Sequence, residues 1–259
     1  MNLHFTKYQG TGNDFIMVDD RSLVFPDDLA LIRRLCHRKM GVGADGLILI
    51  RNHDELDFEM VYFNADGSQS MCGNGSRCAV NFARTLGMVN GAITHFLSTD
   101  GPHMAILTEE EHVELQLADV ATVTYYEDKD LFINTGSPHH IRFVDDVENY
   151  DVFGQGKAIR QDVQRYPDGT NVNFVEVIDD EHIYVRTFER GVEDETLSCG
   201  TGVTAASLAA GLKKPGGTVK IKTPGGHLQV RYDYTEADNF RNVFLIGPAE
   251  KVFEGQIEI

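Results

Sequence analysis

Apolar and polar residues alternate over Leu56 to Phe63, His112 to Leu117, His182 to Phe188, Thr218 to Ile221 and Leu228 to Tyr232, the period of a strand with one buried face. Pro224-Gly225-Gly226 separates the last two runs and predicts a hairpin turn. Two other stretches change to the helical period. Ser76 to Leu86 carries Cys78, Ala79, Phe82, Ala83 and Leu86, and Val203 to Leu212 is almost wholly Ala, Val and Leu, so the second helix must be buried nearly all round. Leu29 to Arg38 reads as a further amphipathic stretch.

These features come twice. Thr11-Gly12-Asn13-Asp14-Phe15-Ile16-Met17-Val18-Asp19-Asp20, a turn feeding a strand, is echoed by Thr135-Gly136-Ser137-Pro138-His139-His140-Ile141-Arg142-Phe143-Val144-Asp145-Asp146. Phe63-Asn64 leads to Met71-Cys72-Gly73-Asn74-Gly75, and Phe188-Glu189 leads to Ser198-Cys199-Gly200-Thr201-Gly202. Gly136 follows Gly12, Phe188 follows Phe63 and Cys199 follows Cys72 at nearly one offset, which argues for two homologous halves. The expected fold is α+β: two pseudo-symmetric domains, each a curved, barrel-like, mainly antiparallel sheet wrapped around a central helix. The expected halves are residues 1–118 plus 249–259, carrying Cys72, and 119–248, carrying Cys199.

The 259 residues, 42% of them hydrophobic, suffice for two such cores. The N-terminus has no basic run before an apolar stretch, and no window approaches the ~20 apolar residues of a membrane helix, so the protein is expected in the cytoplasm and off membranes. Lys and Arg number 23 against 40 Asp and Glu, and a net charge of −17 repels a phosphate backbone, which argues against nucleic acid as a partner. Any anionic group of a small substrate must therefore find a local positive site. The cysteines Cys36, Cys72, Cys78 and Cys199 include no Cys-x-x-Cys pair, so zinc ribbons and thioredoxin-like motifs lack their spacing, and no metal is expected.

Cys36 and Cys78 fall within helical apolar patterns and read as core residues. Cys72 and Cys199 differ, because each precedes Gly-x-Gly at the start of a predicted helix. A helix N-terminus exposes unpaired N–H groups and about half a unit of positive charge, so it binds anions and lowers a nearby thiol's pKa. Two such thiols on opposite sides of one pocket can serve as base and acid, one removing Cα–H and the other delivering a proton to the opposite face. Donors at the helix starts would hold the developing carboxylate charge, so neither metal nor pyridoxal is needed. The duplicated landmarks also single out His139 and Glu189-Arg190. A thiol oxidoreductase cycling the two cysteines lacks its usual motif, and an amino-acid-binding protein without catalysis leaves the duplicated thiols unexplained. Gly41-Val42-Gly43-Ala44-Asp45-Gly46 lacks the spacing and ending of a phosphate loop and reads as a plain loop.

At Gly10-Thr11-Gly12-Asn13-Asp14-Phe15, Phe63-Asn64-Ala65-Asp66-Gly67-Ser68, Met71-Cys72-Gly73-Asn74-Gly75-Ser76-Arg77-Cys78, Asn171-Val172-Asn173-Phe174, Phe188-Glu189-Arg190-Gly191 and Glu195-Thr196 before Cys199-Gly200-Thr201-Gly202, the sequence resembles the diaminopimelate epimerase family, along essentially the whole chain. The resemblance implies interconversion of LL- and meso-diaminopimelate in lysine and cell-wall precursor synthesis, with no cofactor. It implies Cys72 as proton donor and Cys199 as acceptor from LL to meso, and His139 and Glu189 as residues that adjust the thiols' protonation. Substrate contacts would come from Asn13, Asn64, Asn171, Glu189 and Arg190 and from the Gly73, Asn74, Gly200 and Thr201 amides. Arg190 offers a bidentate fork to the distant carboxylate and Glu189 an acceptor for an ammonium. Gly46 stands where many members carry glutamine, and Ser137 where they carry asparagine. Proline racemases share the two-cysteine plan with a different residue at the Asn74 position, so Asn74, Asn64 and Glu189-Arg190 favour a longer dicarboxylic substrate. Diaminopimelate is the partner implied, and a homodimer is a compatible assembly.

Overall fold

Each alternating run pairs as a strand in the computed structural model, which describes residues 1–110, 112–212, 216–235 and 238–259. The chain forms two compact units, Met1–Leu115 with Gly247–Ile259, and Gln116–Ile246. In chain order the first contains β1 (Asn2–Gly10), β2 (Asn13–Asp19), α1 (Leu29–Cys36), β3 (Gly46–Arg51), β4 (Phe58–Asn64), α2 (Gly73–Thr85), β5 (Ile93–Ser98) and β6 (Gly101–Leu107), and β7 (Val113–Gln116) runs to its boundary. The second holds β8 (Val123–Tyr125), β9 (Leu131–Asn134), β10 (Pro138–Phe143), α3 (Val152–Arg160), β11 (Asn171–Val177), β12 (His182–Glu189), β13 (Asp194–Thr196), α4 (Gly200–Ala210), β14 (Gly216–Thr223), β15 (Gly226–Thr235) and β16 (Asn239–Gly247). β17 (Glu250–Glu258) lies in the first unit, antiparallel to β1.

The duplication in sequence is a duplication of pairing. β1–β2 is antiparallel, β2–β3 parallel, β3–β4 antiparallel, β4–β5 parallel and β5–β6 antiparallel. In the second unit β9–β10, β10–β11, β11–β12, β12–β14 and β14–β15 repeat that series of senses. Antiparallel pairs predominate because short connections join sequence neighbours, among them the two-residue turn at Thr11 and Gly12, where both φ angles are positive.

In each unit one helix lies against the inner face of the sheet and one against the outer. α2 packs on β1 to β4, and every residue from Gly73 to Ala83 is buried. α4 packs on β9 to β12, β14 and β15 and buries nearly all its residues, as its composition predicts. α1 covers the outer face, joining Ile16, Val18, Leu47 and Leu49 in one apolar cluster. β2 and β3 are thus buried on both faces, which is why Phe15 to Val18 and Leu47 to Ile50 are continuously apolar. Among the described residues no helix is long and apolar enough to cross a membrane.

The outer helices begin conventionally. Asp28 caps α1 by accepting from Ala30 N, and Asp151 caps α3 by accepting from Gly154 N. The inner helices begin instead on cysteine, Cys72 for α2 and Cys199 for α4.

Candidate active site

Both cysteines hold extended backbone at the N-cap, so each sulfur stands beside the first turn of a buried helix. Cys72 Sγ accepts from Gly75 N at 3.4 Å and contacts Asn13 Oδ1 at 3.6 Å. Asn13 is oriented from the loop before β3. Its Nδ2 donates to Asp45 Oδ2 at 2.7 Å, which turns Oδ1 toward Cys72 Sγ and toward Asn74 Nδ2 at 3.4 Å. A carbonyl oxygen only accepts, so this contact suits a protonated Cys72 thiol. Asp45 shares Arg38 with Asp14, and Lys7 completes the network at 2.7 Å from Asp14. Burial alone would raise Asp14, but Arg38 and Lys7 hold it down to about 2.

Asn64 lies at the end of β4, where Tyr62 donates to its Oδ1 at 2.8 Å and its Nδ2 reaches Ser68 Oγ and Ser70 Oγ. Gly46 has a packing reason in the same place. A Cβ there would collide with the Tyr62 ring and the Phe63 carbonyl oxygen.

Arg77, one turn into α2, is fully buried and has no carboxylate partner among the described residues. Its Nη1 reaches Gly73 O and its Nε reaches Pro248 O, both at 3.4 Å, while Nη2 has no hydrogen-bond partner among the described residues. Burial pulls the guanidinium down to about 10, and the Cys78 and Cys72 sulfurs pull the other way. A buried cation without a carboxylate adds to the positive potential of the α2 start.

In the second unit, Cys199 Sγ lies 3.6 Å from Thr201 Oγ1, and Thr201 Oγ1 lies 2.9 Å from His139 Nε2. His139 is fully buried on β10, and burial with the nearby Arg190 charge pushes its pKa down to about 3, so the ring is neutral at physiological pH. Its Nδ1 faces Asn173 Nδ2 at 3.2 Å. At the end of β12, Thr196 Oγ1 donates to Glu189 Oε2 at 2.9 Å. Asn171 Nδ2 donates to Ser137 Oγ and Pro138 O, and its Oδ1 receives the Arg190 backbone N–H at 2.9 Å. Asn171 thereby fixes the turn that carries Arg190, whose Nη1 donates to Asp168 O. Ser137 Oγ accepts one of the Asn171 Nδ2 bonds, so its hydroxyl meets Asn171 where the family's asparagine would stand.

Within the first unit the structure gathers Asn13, Cys72, Gly73 and Asn74 at one helix start, with Asn64 at the end of a strand packed on that helix. Within the second it gathers Cys199, Gly200, Thr201 and His139, with Asn171, Glu189 and Arg190 at adjoining strand ends. Three side chains escaped the sequence reading. Asp45 sits in the glycine loop read as plain, although a lone acid among glycines was its signal. Asn173 shares a strand face with Asn171 by the two-residue period. Arg77 is a charge inside an apolar helical run.

The family model for diaminopimelate epimerase matches residues 5–125 and 131–252. A diaminopimelate epimerase of Flavobacterium psychrophilum is 48% identical over 257 residues, covering 97% of this chain and 98% of the relative, and one of Aquifex aeolicus is 42% identical with 98% of each covered. Among solved structures, a phenazine biosynthesis protein of the PhzF family from Bacillus anthracis superposes with a TM-score of 0.81 at 14% identity over the whole of both chains. A hydroxyproline epimerase from Agrobacterium vitis superposes at 0.68 with 15% identity, covering 99% of this chain and 92% of the other. The last two likenesses are of fold, and the first three, with near-complete coverage, are of family. The chain belongs to the diaminopimelate epimerase family.

Proposed function

We propose that the protein interconverts LL- and meso-diaminopimelate by a two-base proton transfer at the α-carbon, without a cofactor. The observation that carries this reading is the repeated placement of Cys72 and Cys199 at the N-caps of the two inner helices, in a chain of this family. From LL to meso, the Cys199 thiolate takes Cα–H and the Cys72 thiol gives its proton to the opposite face. In reverse the roles exchange. Asn13 Oδ1, aimed at Cys72 by Asp45, supports the protonated form there.

The Gly73, Asn74, Gly200 and Thr201 N–H groups hold the reacting carboxylate, whose charge grows as the carbanion flattens. Arg190, on its Asn171-braced turn, takes the distant carboxylate, and Glu189 accepts from an ammonium. Asn64 and Asn13 supply neutral contacts that distinguish the hand of the far stereocentre. His139 is too weak a base to ionise and acts through its hydrogen bond with Thr201. A cytoplasmic homodimer is part of the same reading, supported by exposed Val252 and Phe253 on β17 and checked by light scattering.

The test incubates the purified protein with LL-diaminopimelate in D2O, in buffer free of metal and pyridoxal. Deuterium at the α-carbon and appearance of the meso isomer are expected. Neither exchange nor inversion would overturn the reading.

A further inference from the structure

Asn173 and Thr187 are buried side chains to which the proposed reaction gives no part, and they determine where the His139 hydrogen sits. The His140 carbonyl can only accept, so the end of Asn173 that stands 2.9 Å from it is the NH2 end. Asn173 Oδ1 then receives the Thr187 hydroxyl at 3.0 Å. The second Asn173 N–H points at His139 Nδ1, 3.2 Å away, and two hydrogens cannot share that gap. Nδ1 is therefore the bare nitrogen of a neutral ring, and the hydrogen is on Nε2. It donates to Thr201 Oγ1 at 2.9 Å, which leaves the threonine's own hydrogen for Cys199 Sγ. Gly202 belongs to the same arrangement, since a Cβ there would collide with Asn173 Oδ1.

We propose that Asn173 is a positioning residue that holds His139 in its Nε2–H tautomer, so that Thr201 is fixed as a hydrogen-bond donor to the Cys199 sulfur and favours its thiolate. The inference rests on the reading of Cys199 as the proton acceptor. It gives the second unit the opposite polarity to the first, where Asn13 presents an acceptor to Cys72.

Nitrogen NMR of protein carrying 15N-histidine reads the tautomer directly, with His139→Gln to assign the signal. Nε2–H is expected in the unaltered protein, and Nδ1–H there overturns the proposal whatever the substrate proves to be. Asn173→Asp, which offers Nδ1 an acceptor, is expected to move a hydrogen onto Nδ1 and to lower kcat by about ten- to a hundredfold, the worth of one hydrogen bond to a charged group. An unmoved tautomer with unchanged kcat overturns it. Because this buried substitution can disturb folding, a second pair is read in a Cys72→Ser background without substrate. Alkylation of Cys199 by iodoacetamide should slow about tenfold in Thr201→Val and stay near the parent rate in Thr201→Ser. Equal rates in the two variants would refute the donor role of Thr201, and they would do so even if diaminopimelate is never turned over.

Discussion

Four thiols in one chain are set apart by what surrounds them. Burial pushes the Cys36 thiol up to about 11 and the Cys78 thiol up to about 12, so both stay protonated and shielded, while Cys72 and Cys199 stand at helix starts that favour thiolate. Timed alkylation of the native protein, read by mass spectrometry, should label Cys72 and Cys199 first and reach Cys36 and Cys78 only on unfolding. Early label on Cys36 or Cys78 would contradict this. Arg77 allows a sharper separation of stability from reactivity. Its guanidinium is buried with no carboxylate partner among the described residues, so Arg77→Met removes a desolvated charge and should leave the urea midpoint unchanged or raised. The same change should slow Cys72 alkylation about tenfold, since it removes a positive charge beside the sulfur. A lowered midpoint with unaltered alkylation would make Arg77 a packing residue.

At the scale of elements, inner and outer helices differ by their caps. An aspartate carboxylate takes one first-turn N–H of α1 and one of α3, whereas a cysteine sulfur is a weak acceptor and leaves that turn of α2 and α4 available to an anion. Cys72→Ser and Cys199→Ser, each placing a better cap, should keep or slightly raise stability while losing most epimerisation, measured by calorimetry beside the deuterium assay. Retained activity in either would remove that cysteine from the two-base scheme. Gly46→Ala should destabilise by about 1 to 3 kcal/mol and weaken substrate binding, because the new Cβ displaces Tyr62, which holds Asn64. The strands with one wet face were legible from alternation, and the inner helices from their apolar runs. β3 was not, because a strand covered by α1 on one face and α2 on the other has no alternation to read. The Asn173 contact with His139 was not legible either. It depends on the parallel register of β10 and β11, which sets Ile141 opposite Asn173, and pairing register leaves no local trace in sequence.

Over the whole molecule, repetition of turn, strand and Cys-Gly-x-Gly in one order made the two-unit plan readable, since both copies keep their landmarks even where side chains diverge. Individual pKa values were not readable, because they depend on burial, and their sum shapes how the protein meets acid. Two trends oppose each other below neutrality. Protonating carboxylates relieves the self-repulsion of a chain with net charge −17, which favours the compact state. His139 acts the other way. Its pKa is 6.5 when unconstrained and about 3 when folded, so the unfolded chain takes a proton that the native chain refuses. Its contribution is whole above pH 6.5 and is lost progressively as pH falls toward 3. Asp14 has the same sign in a lower window, from its ordinary 3.8 down to about 2. Between pH 6.5 and 4 the histidine can therefore be isolated by difference. From pH 7 to 5 it should lower stability by about 2 kcal/mol, enough to outweigh weak surface relief and to register against a total of about 5 to 15 kcal/mol. His139→Gln, which keeps a polar side chain but binds no proton, should flatten the urea-midpoint profile over that interval and leave the decline toward pH 2 in place. Parallel profiles for the two proteins between pH 6.5 and 4 would mean that the imidazole is solvated in the native state, and the hydrogen-bonded neutral ring behind Thr201 would fall with it.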